Sequence, residues 1–93
     1  MKYKVKLTKA FKKGYKKSKK RDLDMNLLKT VVDSLMNDIP LPPKYKDHYL
    51  TGELSEYREC HIQPNWLLIY LKDKDTLTLT LFKTGTHSDL FKK

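Results

Sequence analysis

The stretch RECHIQPNWLLIYLKDKDTLTLTLF, residues 58–82, decides the fold. From Arg58 to Gln63 the side chains alternate, with Cys60 and Ile62 on one face and Glu59, His61 and Gln63 on the other. That is the period of a half-buried strand. Pro64-Asn65 is a turn signal. Trp66 to Leu71 is continuously apolar, as a central strand covered on both faces requires. Asp73 to Asp75 forms the next turn, and Thr76 to Phe82 alternates Leu77, Leu79 and Leu81 with Thr76, Thr78 and Thr80. Gly85 is expected to break this strand, and Ser88 to Phe91 can close one helical turn. Three consecutive strands joined by short turns predict an antiparallel meander.

Upstream of the meander the period changes. Lys2 to Leu7 alternates Tyr3, Val5 and Leu7 with lysines, which predicts one more strand, added to the same sheet. Thr8 can cap a following helix whose narrow apolar stripe carries Phe11 and Tyr15, so this helix belongs at the surface. Asp22 or Asp24 can cap a second helix. There Leu28, Val31, Val32, Leu35 and Met36 recur at helical spacing, the strongest amphipathic pattern in the chain. Pro40, Pro42 and Pro43 end it. Residues 44–56 read as an ordered connection, pinned by Leu50 and Leu54 and turned at Gly52. The order β-α-α-β-β-β predicts an α+β fold, a small antiparallel-dominated sheet with the two N-terminal helices packed on one face. The other face is left polar and aromatic.

Composition bounds what such a fold can do. The 93 residues make one domain, residues 1–93, with one core. The formal charge is +9, with 20 basic and 11 acidic residues. Eleven of the basic residues and no acid fall within residues 1–21, and the remainder sums to 9 − 11 = −2. A solvent-facing basic block attracts polyanions. Nucleic acid is the first partner to expect, ahead of an acidic membrane surface or an acidic protein. Lys9, Lys12, Lys13, Lys16, Lys17, Lys19 and Lys20 form that block on the first helix. The lone Cys60 can complete neither an intramolecular disulfide nor a cysteine metal site, and is read as a small core residue. No apolar run approaches the ~20 residues of a membrane span. A cytoplasmic protein without a membrane partner is expected.

Three histidines, His48, His61 and His87, are the residues able to carry proton transfer near neutral pH. Each taken alone is an ordinary surface histidine, and the case rests on their neighbours. His87 follows Lys83-Thr84-Gly85-Thr86, which gathers a cation, two hydroxyls and a glycine turn beside an imidazole. A phosphate site needs those groups. Trp66 offers an aromatic plane for a base and serves equally well as core packing. Metal-free RNA cleavage needs a base for the 2′-hydroxyl, an acid for the leaving 5′-oxygen and a cation for the phosphorane. The histidine spacings of 13 and 26 residues match no zinc motif, so neither a metal nor another cofactor is expected.

Several strings together are more specific than any of these features. YKDH (45–48), YRECHIQPNWLLIY (57–70) and KTGTH (83–87), followed by Leu90-Phe91, resemble the RelE/YafQ family of bacterial toxins in order and spacing. The resemblance implies a RelE-like fold and a ribosome-dependent endoribonuclease of a type II toxin–antitoxin system. Such an enzyme, an mRNA interferase, cuts mRNA in the ribosomal A site without a metal. It implies mRNA and ribosomal RNA as partners, together with a DinJ/RelB-type antitoxin. The family's histidines correspond to His48, His61 and His87, with His87 as general acid and His48 or His61 as base or orienter. Lys83 is then the phosphorane-stabilising cation. Asn65, Trp66, Thr84, Thr86 and Phe91 are the substrate-binding positions. Two residues depart from the pattern. Asn65 stands where the family has Asp, and Lys83 stands where it has Arg, so a protein that binds ribosome, RNA or antitoxin with weakened cleavage is the alternative.

Overall fold

The computed structural model describes residues 2–91. Its elements run β1 (Lys4–Leu7), α1 (Lys9–Lys20), α2 (Met25–Met36), β2 (His48–Tyr49), β3 (Arg58–Gln63), β4 (Trp66–Asp73), β5 (Thr78–Gly85) and α3 (His87–Leu90). The sheet order is β1-β5-β4-β3-β2. The meander is antiparallel as expected, and β1 joins β5 in parallel, so the sheet is mixed.

Local chemistry sets the helix starts. Thr8 caps α1, its hydroxyl oxygen accepting from the Phe11 N–H at 3.0 Å while its O–H donates to the Phe82 carbonyl at 2.6 Å. One side chain thus starts the helix and fastens it to β5. Gly14 lets the helix descend onto that strand, since a Cβ there would stand 2.2 Å from the Thr84 carbonyl oxygen. Of the two candidate caps for α2, Asp24 is used, accepting from the Asn26 N–H at 3.0 Å. Asp22 instead takes a left-handed backbone, φ 63°, in the turn between the helices. Leu28, Val31 and Leu35 of α2 are buried, as their spacing predicts.

One layer of core joins Phe11, Leu28, Val31 and Leu35 to Cys60, Ile62, Trp66, Leu68, Tyr70, Leu79 and Leu81. Leu67 and Ile69 point to the other face and are also buried. The continuous apolar run of β4 therefore belongs to a strand covered on both sides.

β1 begins at Lys4 rather than Lys2, since the Lys2 and Tyr3 N–H groups donate to the Met36 carbonyl, and two larger features depart from the sequence reading. The turn before β5 is longer than expected: the Asp73 carboxylate accepts from the N–H groups of Asp75 and Thr76, and Leu77 takes φ 52°, so the strand starts at Thr78. β5 then runs on to Gly85 through a bulge, in which Tyr70 pairs with Leu81 and Ile69 with Lys83, leaving Phe82 as the extra residue. A bulge reverses which side chains face which way. Past it, Thr84 enters the helix-side core and Lys83 is carried to the opposite face. The second departure is β2, a two-residue strand inside the segment read as a connection, pairing His48 with Glu59 and Tyr49 with Arg58.

Candidate active site

Paired residues on neighbouring strands share a face, so the register builds the site directly. His48, Glu59, Ile69 and Lys83 form one row across β2, β3, β4 and β5. His61, Leu67 and Gly85 form the next row. Two residues past Gly85, His87 opens α3. The histidines, scattered along the chain, are therefore gathered on the helix-free face. The His48 and His61 ring centroids lie 6.5 Å apart, and those of His61 and His87 lie 5.8 Å apart. Phe91 extends the line, 6.4 Å from His87.

Glu59 organises the centre and is the residue that sequence reasoning missed. It is 5% exposed, and a carboxylate so buried needs partners. Its Oε1 lies 3.4 Å from His48 Nε2 and 3.7 Å from His61 Nε2. Its position two residues from His61 on the polar face of β3 was the available signal. His48 Nδ1 meets the Lys46 carbonyl and Nε2 faces Glu59; both partners accept, and the closer contact, at Nδ1, favours the tautomer protonated there. Donor atoms of Glu59, His61 and His87 also lie within 4.8 Å of one another, close enough to share one cation. Spacing along the chain is blind to this cluster, because the sheet register creates it.

His87 is held by its helix. Thr86 caps α3, accepting from the Asp89 N–H at 3.1 Å, while the Asp89 carboxylate accepts from the Thr86 N–H at 3.0 Å. Asp89 also pairs with Lys17 of α1 at 3.1 Å and with Arg21, which caps the end of that helix, at 2.7 Å. The Arg21 guanidinium, then the Thr86 N–H and the Lys17 ammonium, hold the Asp89 carboxyl well below the usual carboxylate range.

The remaining expected residues divide. Asn65 is exposed at the β3–β4 turn, and Phe91 is exposed beside His87. Lys83 is half-buried, its Nζ 5.2 Å from the Phe82 ring centroid. Thr86 spends its oxygen lone pair as a helix cap. Trp66 and Thr84, expected as substrate contacts, are each only 2% exposed. The indole N–H donates to Thr84 Oγ at 3.0 Å, and the Thr84 hydroxyl donates to the Leu67 carbonyl at 2.7 Å. Their chain of bonds ties β4 to β5 beneath the histidines, and Trp66 also lines a small cleft with Asn65, Gly85 and Thr86.

The basic block also divides. Lys9, Lys12, Lys13, Lys16, Lys19 and Lys20 are exposed, whereas Lys17 is committed to Asp89. Lys13 and Lys17 line a cleft with Lys83 and Asp89. Lys12, Lys16 and Lys19 turn the other way and rim an apolar groove between α1 and α2, floored by Val5, Phe11, Leu28 and Val32. Among the described residues no helix is long and apolar enough to cross a membrane.

The chain resembles proteins of known kind. It is 46% identical over 83 residues to the mRNA interferase toxin YafQ of Escherichia coli, covering 87% of each chain. The toxin in the Escherichia coli DinJ–YafQ complex superposes with a TM-score of 0.88 at 39% identity, over 96% of this chain and 98% of that one. A metal-bound toxin from Helicobacter pylori superposes at 0.90 with 44% identity, over 96% and 99%. The family model for the YafQ toxin matches residues 3–92, nearly the whole chain, and with the RelE-like fold and the gathered histidines this establishes that the chain belongs to the YafQ family of bacterial toxins of type II toxin–antitoxin systems.

Proposed function

We propose that this protein is a ribosome-dependent endoribonuclease, an mRNA interferase that cuts mRNA in the ribosomal A site by acid–base catalysis without a metal. The observation that carries the reading is the line of three imidazoles around one buried carboxylate, with ring spacings of 6.5 and 5.8 Å. His48 or His61 takes the proton of the 2′-hydroxyl, with Glu59 balancing the imidazolium that forms. The 2′-oxygen attacks phosphorus and the bond to the 5′-oxygen breaks. His87, exposed at the start of α3, gives its proton to that oxygen. The products are a 2′,3′-cyclic phosphate and a 5′-hydroxyl. Lys83, brought to this face by the bulge, supplies positive charge to the phosphorane, and Asn65 and Phe91 border the nucleotide. The exposed lysines of α1 grip ribosomal RNA. A DinJ-type antitoxin is the expected partner, as in the Escherichia coli complex.

Two observations favour second readings. Asn65 and Lys83, in place of Asp and Arg, support weakened cleavage with binding retained. The Glu59–His61–His87 cluster fits a divalent cation, which would occupy the same lone pairs that proton transfer uses. The deciding experiment is primer extension on one mRNA in a translating extract, with the protein, its His87→Ala variant and an arm in which the protein alone is stripped with a chelator and desalted before it meets the extract. Codon-phased cuts that need translation, persist with the stripped protein and vanish in the variant support the proposal. Full cleavage by His87→Ala, or loss of wild-type cleavage on stripping that added metal restores, overturns it. Blocked translation with intact mRNA selects the binding alternative.

A further inference from the structure

Asp47 and His48 are neighbours in sequence and serve opposite faces of the sheet. His48 pairs with Glu59 on the catalytic face. The Asp47 carboxylate passes to the helix side, where Tyr70 OH donates to its Oδ1 at 2.6 Å. Arg58 holds the same carboxylate with two prongs, Nε to Oδ1 at 3.2 Å and Nη2 to Oδ2 at 3.1 Å. Arg58 Nε also lies 3.2 Å from Tyr70 Oη. From the far side of His48, the Tyr49 ring lies over the same guanidinium, 4.3 Å from its Cζ. Both flanks of the histidine are thus fastened to one cation. Tyr70 is 1% exposed within the core, a rigid post for a segment that is otherwise a two-residue strand at the sheet edge. Burial, and then Asp47, push the Tyr70 hydroxyl well above its ordinary value, so it remains a donor.

We propose that Asp47, Arg58 and Tyr70 are positioning residues that act through His48. They hold the segment 46–49 from behind the sheet, so that His48 keeps Nδ1 on the Lys46 carbonyl and Nε2 on Glu59. The left-handed backbone of Lys46, φ 49°, supplies the turn that presents this carbonyl. None of the three touches the reacting atoms. The inference rests on the proposed nuclease reading for its kinetic consequence and on geometry alone for its structural one.

The test is Asp47→Asn, with Tyr70→Phe as the milder change of a single hydroxyl. The readouts are the imidazole 15N signals of the three histidines, and kcat and KM of ribosome-dependent cleavage. With folding verified by circular dichroism, His48 should lose its Nδ1-protonated signature and show mixed tautomers, while His61 and His87 keep theirs. The turnover kcat should fall by about 10–100-fold with KM within about twofold, since a displacement near 1 Å has that effect on an aligned group. Unchanged His48 signals in folded Tyr70→Phe and Asp47→Asn would overturn the proposal. Equal perturbation of all three histidines would overturn it too, because that marks general loosening. If the wild type cuts no RNA, the nuclease reading fails, and the 15N signals still decide the anchor.

Discussion

Replacing Asp89 with Asn separates charge from shape at the point where α1 meets α3. The carboxylate accepts from the Thr86 N–H at 3.0 Å, from Arg21 at 2.7 Å and from Lys17 at 3.1 Å. The amide keeps one acceptor oxygen and loses the charge. Exposed ion pairs contribute about 0.2–1 kcal/mol each, and these two share a carboxylate 19% exposed, which favours the upper half of that range. A negative charge in the first turn of a helix adds about 0.3–1 kcal/mol, little of it in a helix of 4 residues. The sum is about 1–2 kcal/mol at neutral pH, a fall in Tm of roughly 5–10 °C for a domain of this size. The pH dependence follows from the direction of the shift. Asp89 titrates lower in the folded protein than in the unfolded chain, so its contribution is complete above the unfolded value of about 3.9 and is lost as pH falls below it. Urea denaturation of the two proteins at pH 7, 4, 3 and 2 should show a gap that is steady at the top and closes toward pH 2. A gap undiminished at pH 2 would show that the variant acts through shape, and the absence of a gap at pH 7 would show that the latch is not formed.

Three further substitutions test other parts of the construction. Gly14→Ala should destabilise by about 1–3 kcal/mol in thermal denaturation although alanine is the better helix former, because its Cβ would sit 2.2 Å from the Thr84 carbonyl oxygen and α1 must lift from β5; a stabilised variant would contradict the close approach. Trp66→Phe removes the N–H that bonds Thr84 within the core and should lower stability by about 1–2 kcal/mol, leaving KM for programmed ribosomes unchanged; a raised KM would restore Trp66 as a substrate contact. Lys83→Arg regains a two-pronged grip on phosphate, and cleavage per ribosome should rise about tenfold or more with fold stability unchanged. A rate equal to wild type would remove Lys83 from the phosphorane.

The parts of the fold legible in the sequence are those whose pattern of apolar residues is long and consistent. α2 and the apolar face of β3 emerged from their periods, and β4 from an unbroken apolar run that marks a strand covered on both faces. β5 did not, since its bulge changes parity midway: Thr84 reads as polar surface and is buried, while Lys83 changes side. Two residues of β2 are too few to show any period. The histidines were found through scarcity and family resemblance, and their convergence is a property of strand register, which spacing in sequence does not encode. Glu59 escaped notice for a related reason. On an alternating strand an acidic residue reads as solvent-facing, and only the two imidazoles approaching it on the helix-free face make it a buried centre. Trp66 admitted two readings from sequence, and its burial and its bond to Thr84 support core packing.

The basic N-terminal segment likewise resolves into parts with different duties. Helix α1 is fastened to the half of the molecule that carries the histidines at its start by the Thr8 hydroxyl on the Phe82 carbonyl, at its middle by the close approach of Gly14 to Thr84, and at its end by Lys17 and Arg21 on Asp89. These attachments flank Lys83 along β5 and continue into the helix that carries His87. A polyanion held on the exposed lysines of α1 is therefore held at a fixed distance from both groups, because the helix cannot shift without breaking a buried contact. The same geometry separates Lys17 and Arg21 from the other cations. A phosphate competing for either would weaken the Asp89 latch and loosen His87, so on the proposed nuclease reading these two act through α3 and the remaining lysines through affinity. Charge alone makes the eleven basic residues equivalent; attachment to the sheet does not.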